Sequence, residues 1–348
     1  ALKDLAEGRE WHELLAAMEM RKGNEFRYWR WHGFLCRYYC DSCSTANDYD
    51  NNRGGSTEEE GELDLVLVHG FGASAAQMTK TLNAVANTTA FFTRHLAPDL
   101  IGFGHCQKPA LSYTQYLWEQ FVMDFLKTHT ESGFILGGNS IGGYVSMAVA
   151  ADDTVVEGVS ASGCKGTGRC EGLVLMNSAG RILSKEDVEK VGESVSVLEA
   201  TIGDMLGDCR PPPRVVAKLF GTALLSYLRP RIQSICTSLY PANPAAVDQQ
   251  LASTILRDSL DPGAINVMIS GSKLPPPRTA NELLGAEFGC AAESDGGGVW
   301  RGEIMVAQGM KDPLNDARTR AALLEGLRDG IDVRGLDGAG HCPHDELP

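Results

Sequence analysis

The chain has 348 residues, of which 43% are hydrophobic and 22% charged, and 45 acidic against 31 basic side chains set its formal net charge at −14. That length can bury a large core and predicts one big domain or two modest ones, with the composition of a soluble globular protein. The charge argues against a nucleic-acid partner and against broad docking on anionic lipid, and no apolar run approaches the ~18 residues needed to span a bilayer.

Leu2, Leu5, Trp11, Leu14, Leu15 and Met18 recur at near-helical spacing and predict an amphipathic lead helix within residues 1–24. Phe26–Trp31 and Phe34–Tyr39 read as two strands of a hairpin turning at His32-Gly33. Residues 41–61 are rich in Asp, Asn, Ser, Gly and Glu and are expected to form a mobile loop. From there the pattern alternates. Strand Leu63–Val68 leads into His69-Gly70-Phe71-Gly72, and strand Thr93–Ala97 into Pro98-Asp99 and Gly102-Phe103-Gly104. Helix Tyr113–His129, strand Phe134–Gly137, a second helix through Ala151 and strand Leu173–Asn177 follow. Later come strand Ile304–Gln308, helix Asp316–Leu327 and strand Asp332–Leu336. Strands alternating with helices imply an α/β fold whose mostly parallel central sheet carries helices on both faces. Ligands in such sheets bind beyond the carboxyl ends of the strands.

Between residues 181 and 299 the alternation stops. Helices over Lys185–Leu206, Arg214–Leu228 and Val247–Ser259, with triple prolines at 211–213 and 275–277, predict an inserted helical lid. Its apolar residues Leu198, Ile202, Leu219, Phe220, Leu224, Leu225 and Leu256 are expected to pack within the lid and on the core, a few lining a cavity. The core is then 25–180 with 300–348, and Ser160–Cys170 and Ala291–Gly298 read as solvated insertions.

Ser140 stands in Gly138-Asn139-Ser140-Ile141-Gly142, between the apolar run Gly133–Gly137 and a helical stretch. A strand turning sharply into a helix exposes the middle hydroxyl at the edge of a sheet, with a helix N-terminus behind it to stabilise negative charge. A serine hydroxyl needs a base, and the base needs a third group to fix its tautomer. His341 follows the last strand in a glycine-rich turn, and Asp312 follows the strand before it, so Ser140, Asp312 and His341 are the candidate triad in the expected chain order. The backbone N–H groups of Phe71 and Ile141 are the candidate oxyanion donors, and Phe71, Asn139 and Leu314 the candidate substrate contacts. Asp316 reads as a first-turn helix acid, Asp337 as a turn residue, His344 as a capping or surface residue, and His69 as a brace for its loop.

His69–Gly72, Gly102–Gly104, Gly138–Gly142, Asp312 and His341, in that order, resemble the α/β-hydrolase superfamily over most of the chain. Within it, Gly138–Val145, Asp312-Pro313, Trp29-x-Trp31-x-Gly33 and above all Gly340-His341-Cys342-Pro343-His344-Asp345-Glu346-Leu347-Pro348 are similar to pheophytinase and its chlorophyll-dephytylating relatives in plastids. The sequence departs from them at Leu314, where they carry an aromatic, and in the Ser160–Cys170 insertion; they also continue past the point where it stops, at Pro348. The resemblance implies a carboxylic-ester hydrolase that removes phytol from a chlorophyll-type pigment, without metal or organic cofactor. It further implies a chloroplast location and peripheral contact with the thylakoid membrane, although from Ala1 onward no targeting segment is visible. Alternatives are a serine esterase, thioesterase or lipase for another acyl substrate, and a non-catalytic receptor on the same scaffold. Ten scattered cysteines, Cys40-x-x-Cys43 among them, read as free thiols rather than a metal site. Oligomeric state is not legible.

Overall fold

The computed structural model describes residues 13, 25–41, 63–130, 133–152, 169–184, 186–187, 214–270, 278–285 and 300–348. Apart from Glu13 and residues 186–187, the lead helix and the Lys185–Leu206 helix lie outside them. So do residues 42–62, both triple prolines, and the insertions at 160–168 and 291–298. Among the described residues, one sheet runs in the order β1-β2-β4-β3-β5-β6-β7-β8. Its strands are β1 (Phe26–Trp31), β2 (Phe34–Cys40), β3 (Leu63–Val68), β4 (Phe92–Pro98), β5 (Gly133–Asn139), β6 (Cys170–Met176), β7 (Ile304–Gly309) and β8 (Ile331–Leu336). β1 and β2 form the expected hairpin, β2 is antiparallel to β4, and the pairings from β4 through β8 are parallel.

Leu65, Val66, Leu67 and Val68 of β3 are all buried, so both faces of this strand are covered. On one face, α2 (Gln115–His129) and α3 (Ile141–Ala150) bring Trp118, Phe121, Phe125 and Met147 against Val66, Leu136 and Leu175. On the other, α1 (Thr79–Thr88) sets Leu82, with Met78, against Leu65, Leu67 and Met176. Helix α1 has no counterpart in the sequence reading. Leu82 is its one buried side chain, too little for an apolar period to show. Cys170, expected in a solvated insertion, instead opens β6 and is fully buried.

Between β6 and β7 the described lid residues form α4 (Arg214–Leu228), α5 (Ile232–Leu239), α6 (Gln249–Leu260), α7 (Ala264–Ser270) and α8 (Ala280–Leu284). Helix α6 begins after Asp248, whose side chain accepts the Leu251 N–H as a cap. The burial of α4 departs from expectation. Only the narrow stripe Ala217, Gly221 and Leu225 is buried, and Gly221 lets α7 approach with Ile265 and Ile269. Leu219 and Phe220 remain 73% and 74% exposed. The lid is pinned to the core by a buried ion pair, Lys108 Nζ to Asp261 Oδ2 at 2.8 Å.

Candidate active site

Ser140 leaves β5 and heads α3 with φ 54° and ψ −120°, a region that non-glycine residues rarely occupy. The cause is the close approach of helix and sheet. A Cβ on Gly142 would lie 2.2 Å from the Val68 carbonyl oxygen, so the chain must reverse within one residue. The Ser140 carbonyl accepts the N–H groups of Tyr144 (3.2 Å) and Ala179 (2.7 Å), which hold the turn. Its side chain caps nothing, and the hydroxyl is left for another use.

Asp312 lies three residues beyond β7 and His341 five beyond β8. His341 Nδ1 and Asp312 Oδ2 are 3.0 Å apart. An ionised carboxylate only accepts, so Nδ1 carries the proton and Nε2 keeps its lone pair. The carboxylate also accepts Asn177 Nδ2 (2.9 Å), Asn315 Nδ2 (3.1 Å) and the Leu314 N–H (2.9 Å). Burial by itself would raise the Asp312 carboxyl. The hydrogen bond and charge of His341, with the Asn177 and Leu314 donors, outweigh it and hold the group at about 2. Sequence reasoning did not single out Asn177 or Asn315. Asn177 follows β6 at φ 42°, a conformation asparagine tolerates better than most residues, but only the fold brings its amide to Asp312.

Asn139, the residue before Ser140, ties the serine turn to the histidine loop: its Nδ2 donates to the His341 carbonyl (2.8 Å) and to that of Met176 (3.0 Å). Asn139 is only 3% exposed, and its amide braces the His341 loop. The His69–Gly72 loop adjoins the same point, since a Cβ on Gly70 would lie 3.2 Å from Ser140 Cβ. Loops after β3, β5, β7 and β8 thus meet at the carboxyl ends of the parallel strands. Among the described residues no hydrogen bond joins the Ser140 hydroxyl to the His341 ring; in unliganded sites such contacts often tighten only with substrate. Ile141 opens α3, and a first-turn N–H has no acceptor within its helix. Phe71, packed edge-on against Phe103, and Leu314 stay 55% and 61% exposed.

The other polar candidates sort by burial. His69 Nε2 accepts the Leu100 N–H (2.9 Å) while Nδ1 donates to the Gly70 carbonyl (2.7 Å), so both nitrogens are occupied and the ring braces its loop. Burial pushes it below its ordinary value. His344, read as a capping or surface residue, is instead buried within α10 (Pro343–Glu346), because that turn folds back beneath α1. Burial, despite the Asp345 charge, lowers it to about 4. Asp316 is the N-cap of α9 (Ala317–Glu325), accepting from Thr319, and so precedes the first turn; Asp337 sits in an exposed turn. Among the described residues no three His, Cys, Asp or Glu side chains are grouped to hold a metal. An apolar groove of about 290 Å³ lined by Leu65, Ile135, Val174, Met305 and Leu347 opens on the sheet face; Ser140, Asp312 and His341 do not line it.

A curated relative, the 2-hydroxy-6-oxo-6-(2'-aminophenyl)hexa-2,4-dienoic acid hydrolase of Metapseudomonas resinovorans, is 31% identical over 129 residues. That match covers 36% of this chain and 40% of the relative's length. A serine hydrolase involved in carbazole degradation superposes with a TM-score of 0.54 at 17% identity, covering 93% of each chain. An epoxide hydrolase gives 0.54 at 15% over 93% of this chain and 95% of its own. A bacterial membrane phospholipase A gives 0.55 at 18% over 100% and 91%. At such identities the superpositions speak for the fold alone. The alpha/beta hydrolase family model matches residues 65–348, which hold the strand ends carrying Ser140, Asp312 and His341, and the chain belongs to that family.

Proposed function

We propose that this hydrolase is a serine carboxylic-ester hydrolase in which Ser140 is the nucleophile, His341 the base and Asp312 its orienter. The observation that carries the reading is the 3.0 Å link from Asp312 to His341 Nδ1, beside a serine whose strained backbone leaves its hydroxyl unspent on capping. Rotation of the serine side chain brings Oγ to His341 Nε2 as the ester binds. Nε2 takes the hydroxyl proton as Oγ attacks the carbonyl carbon, and Asp312 stabilises the imidazolium. The Phe71 and Ile141 amides receive the oxyanion; one such donor contributes about 3 kcal/mol to the transition state. The tetrahedral adduct expels the alcohol, protonated by His341, and leaves an acyl-enzyme. Water deprotonated by the same ring then releases the acid.

The substrate we favour is a chlorophyll-type pigment that loses phytol, with the chain acting in the chloroplast in peripheral contact with the thylakoid. Supporting this are the similarity of residues 138–145, 312–313 and 340–348 to pheophytinase-like sequences and the apolar rim of Phe71 and Leu314. No helix of the described residues is long and apolar enough to cross a membrane. The second reading, an esterase acting on another acyl substrate, draws on the curated relative, named for hydrolysis of a dienoic acid. A fluorophosphonate probe should label the parent chain and not Ser140→Ala; equal labelling of both refutes the nucleophile, and no labelling of either favours a non-catalytic receptor. Phytol release from pheophytin set against p-nitrophenyl butyrate turnover then separates the two substrate readings.

A further inference from the structure

The two carboxylates of the C-terminal turn, Asp345 and Glu346, are 3% and 1% exposed, and no step of the proposed reaction uses them. Buried carboxylates persist only where donors surround them. For Glu346 those donors come from two different parts of the molecule. One oxygen accepts the N–H of Gly340 at 2.6 Å, the peptide immediately before His341. The other accepts the N–H groups of Ala242 and, at 3.0 Å, of Asn243, in the lid segment after α5. Asp345 repeats the pattern, accepting the Tyr240 hydroxyl at 2.7 Å from the same lid segment and pairing with Lys80 Nζ at 2.7 Å from α1.

The His341 backbone is held from both remaining directions as well. Its N–H donates to the Leu239 carbonyl at 2.9 Å, and its carbonyl accepts Asn139 Nδ2 at 2.8 Å. Lid and histidine loop touch so closely that a Cβ on Gly340 would lie 2.2 Å from the Leu239 oxygen. We propose that Glu346, seconded by Asp345, is a positioning residue that sets where His341 stands relative to Ser140 and ties that placement to lid residues 239–243. A charged acceptor bridging three backbone N–H groups is short and directional, and a neutral amide cannot accept all three. Displacement of the His341 peptide would move the ring away from the serine, while the hydrophobic rim that holds substrate is untouched. The proposal rests on His341 being the base of the ester hydrolase proposed above.

The test compares Glu346→Gln with the parent chain. Turnover of p-nitrophenyl butyrate should fall in kcat by about 10- to 100-fold, the range that a misplacement near 1 Å produces, with KM within about twofold. Fluorophosphonate labelling should slow in parallel. The proton between His341 Nδ1 and Asp312 gives an NMR line well downfield of the amides, and that line should shift or broaden in Glu346→Gln while thermal unfolding stays cooperative. Should that variant not fold, Tyr240→Phe removes one donor of the same clamp and must move the downfield line in its place. A line unmoved in the folded variant, or a kcat equal to the parent's, overturns the proposal. A parent chain that resists the probe while its downfield line responds to Glu346→Gln refutes the hydrolase reading and leaves the positioning of His341 standing.

Discussion

Asn177 offers the sharpest test of how the acid of the site is supported. Its amide donates to Asp312 Oδ2 at 2.9 Å and accepts the Gly309 N–H at 2.7 Å, both in buried surroundings. Removing the side chain deletes a hydrogen bond to a charged group, typically about 1.5–3 kcal/mol, and leaves the Gly309 N–H unsatisfied at about 1–3 kcal/mol. The backbone at φ 42° adds a second effect that depends on the replacement. Glycine takes that conformation freely, whereas alanine costs about 1 kcal/mol more. Asn177→Gly should therefore lose about 2.5–6 kcal/mol of unfolding free energy and Asn177→Ala about 1 kcal/mol more, measured by urea denaturation at pH 7. With fewer donors the Asp312 carboxyl should rise from its depressed value, and kcat for p-nitrophenyl butyrate should fall about tenfold as the His341 ring loses its fixed partner. Stability of Asn177→Gly within 0.5 kcal/mol of the parent, or equal stability of the two variants, would refute this reasoning.

Asp312 makes a pH-dependent contribution. Its folded value of about 2 lies below the ordinary carboxylate range, so the stabilisation, on the order of 2 kcal/mol, is full above about pH 4 and lost as pH falls toward 2. In Asp312→Asn, urea titrations over that window should show a shallower loss. Buried neutral histidines act at milder pH: burial lowers His129 and His344 to about 4, so the unfolded chain binds their protons first and stability should decline from about pH 6.5 to 4. Replacing His344 with Gln should flatten part of that decline, and an unchanged slope would contradict its burial. Lys108→Met removes the ammonium that Asp261 meets at 2.8 Å and should cost about 3–5 kcal/mol, with Lys108→Met/Asp261→Leu recovering much of it; no recovery would mean that the pair is not what pins the lid. Residues 214–247 contain four basic and no acidic side chains in a chain of net charge −14, beside the exposed Leu219 and Phe220. Leu219→Ser/Phe220→Ser should therefore cosediment less with anionic vesicles while stability changes by under about 0.5 kcal/mol; sedimentation equal to the parent's would dissociate this face from membranes.

Much of the core was legible from the chain because its signals are local. Apolar runs of strand length, glycines where helix meets sheet, and polar residues just past each strand end mark β3, β5, β7, β8 and the turn at Ser140 without knowledge of their neighbours. Helix α1 was not, since one buried leucine in ten residues carries no period. The lid helix α4 was found in the sequence but its buried face was not. An apolar residue such as Phe220 looks the same whether covered or exposed, and the small stripe that is covered becomes visible only when α7 lies across it.

By itself the sequence determined the fold class and the order of the candidate residues, because periodicity and turn chemistry act between near neighbours. Only the tertiary structure decided which side chains share a partner. It set Asn177 on Asp312, turned Asn139 inward to hold the His341 loop, buried His344, and wrapped Glu346 in backbone donors from the histidine turn and from the lid. The bonds of Glu346 to Asn243, of Asn177 to Asp312 and of Asn139 to His341 join residues 103 to 202 positions apart, and no local pattern encodes a contact that exists only once the strands have been placed side by side.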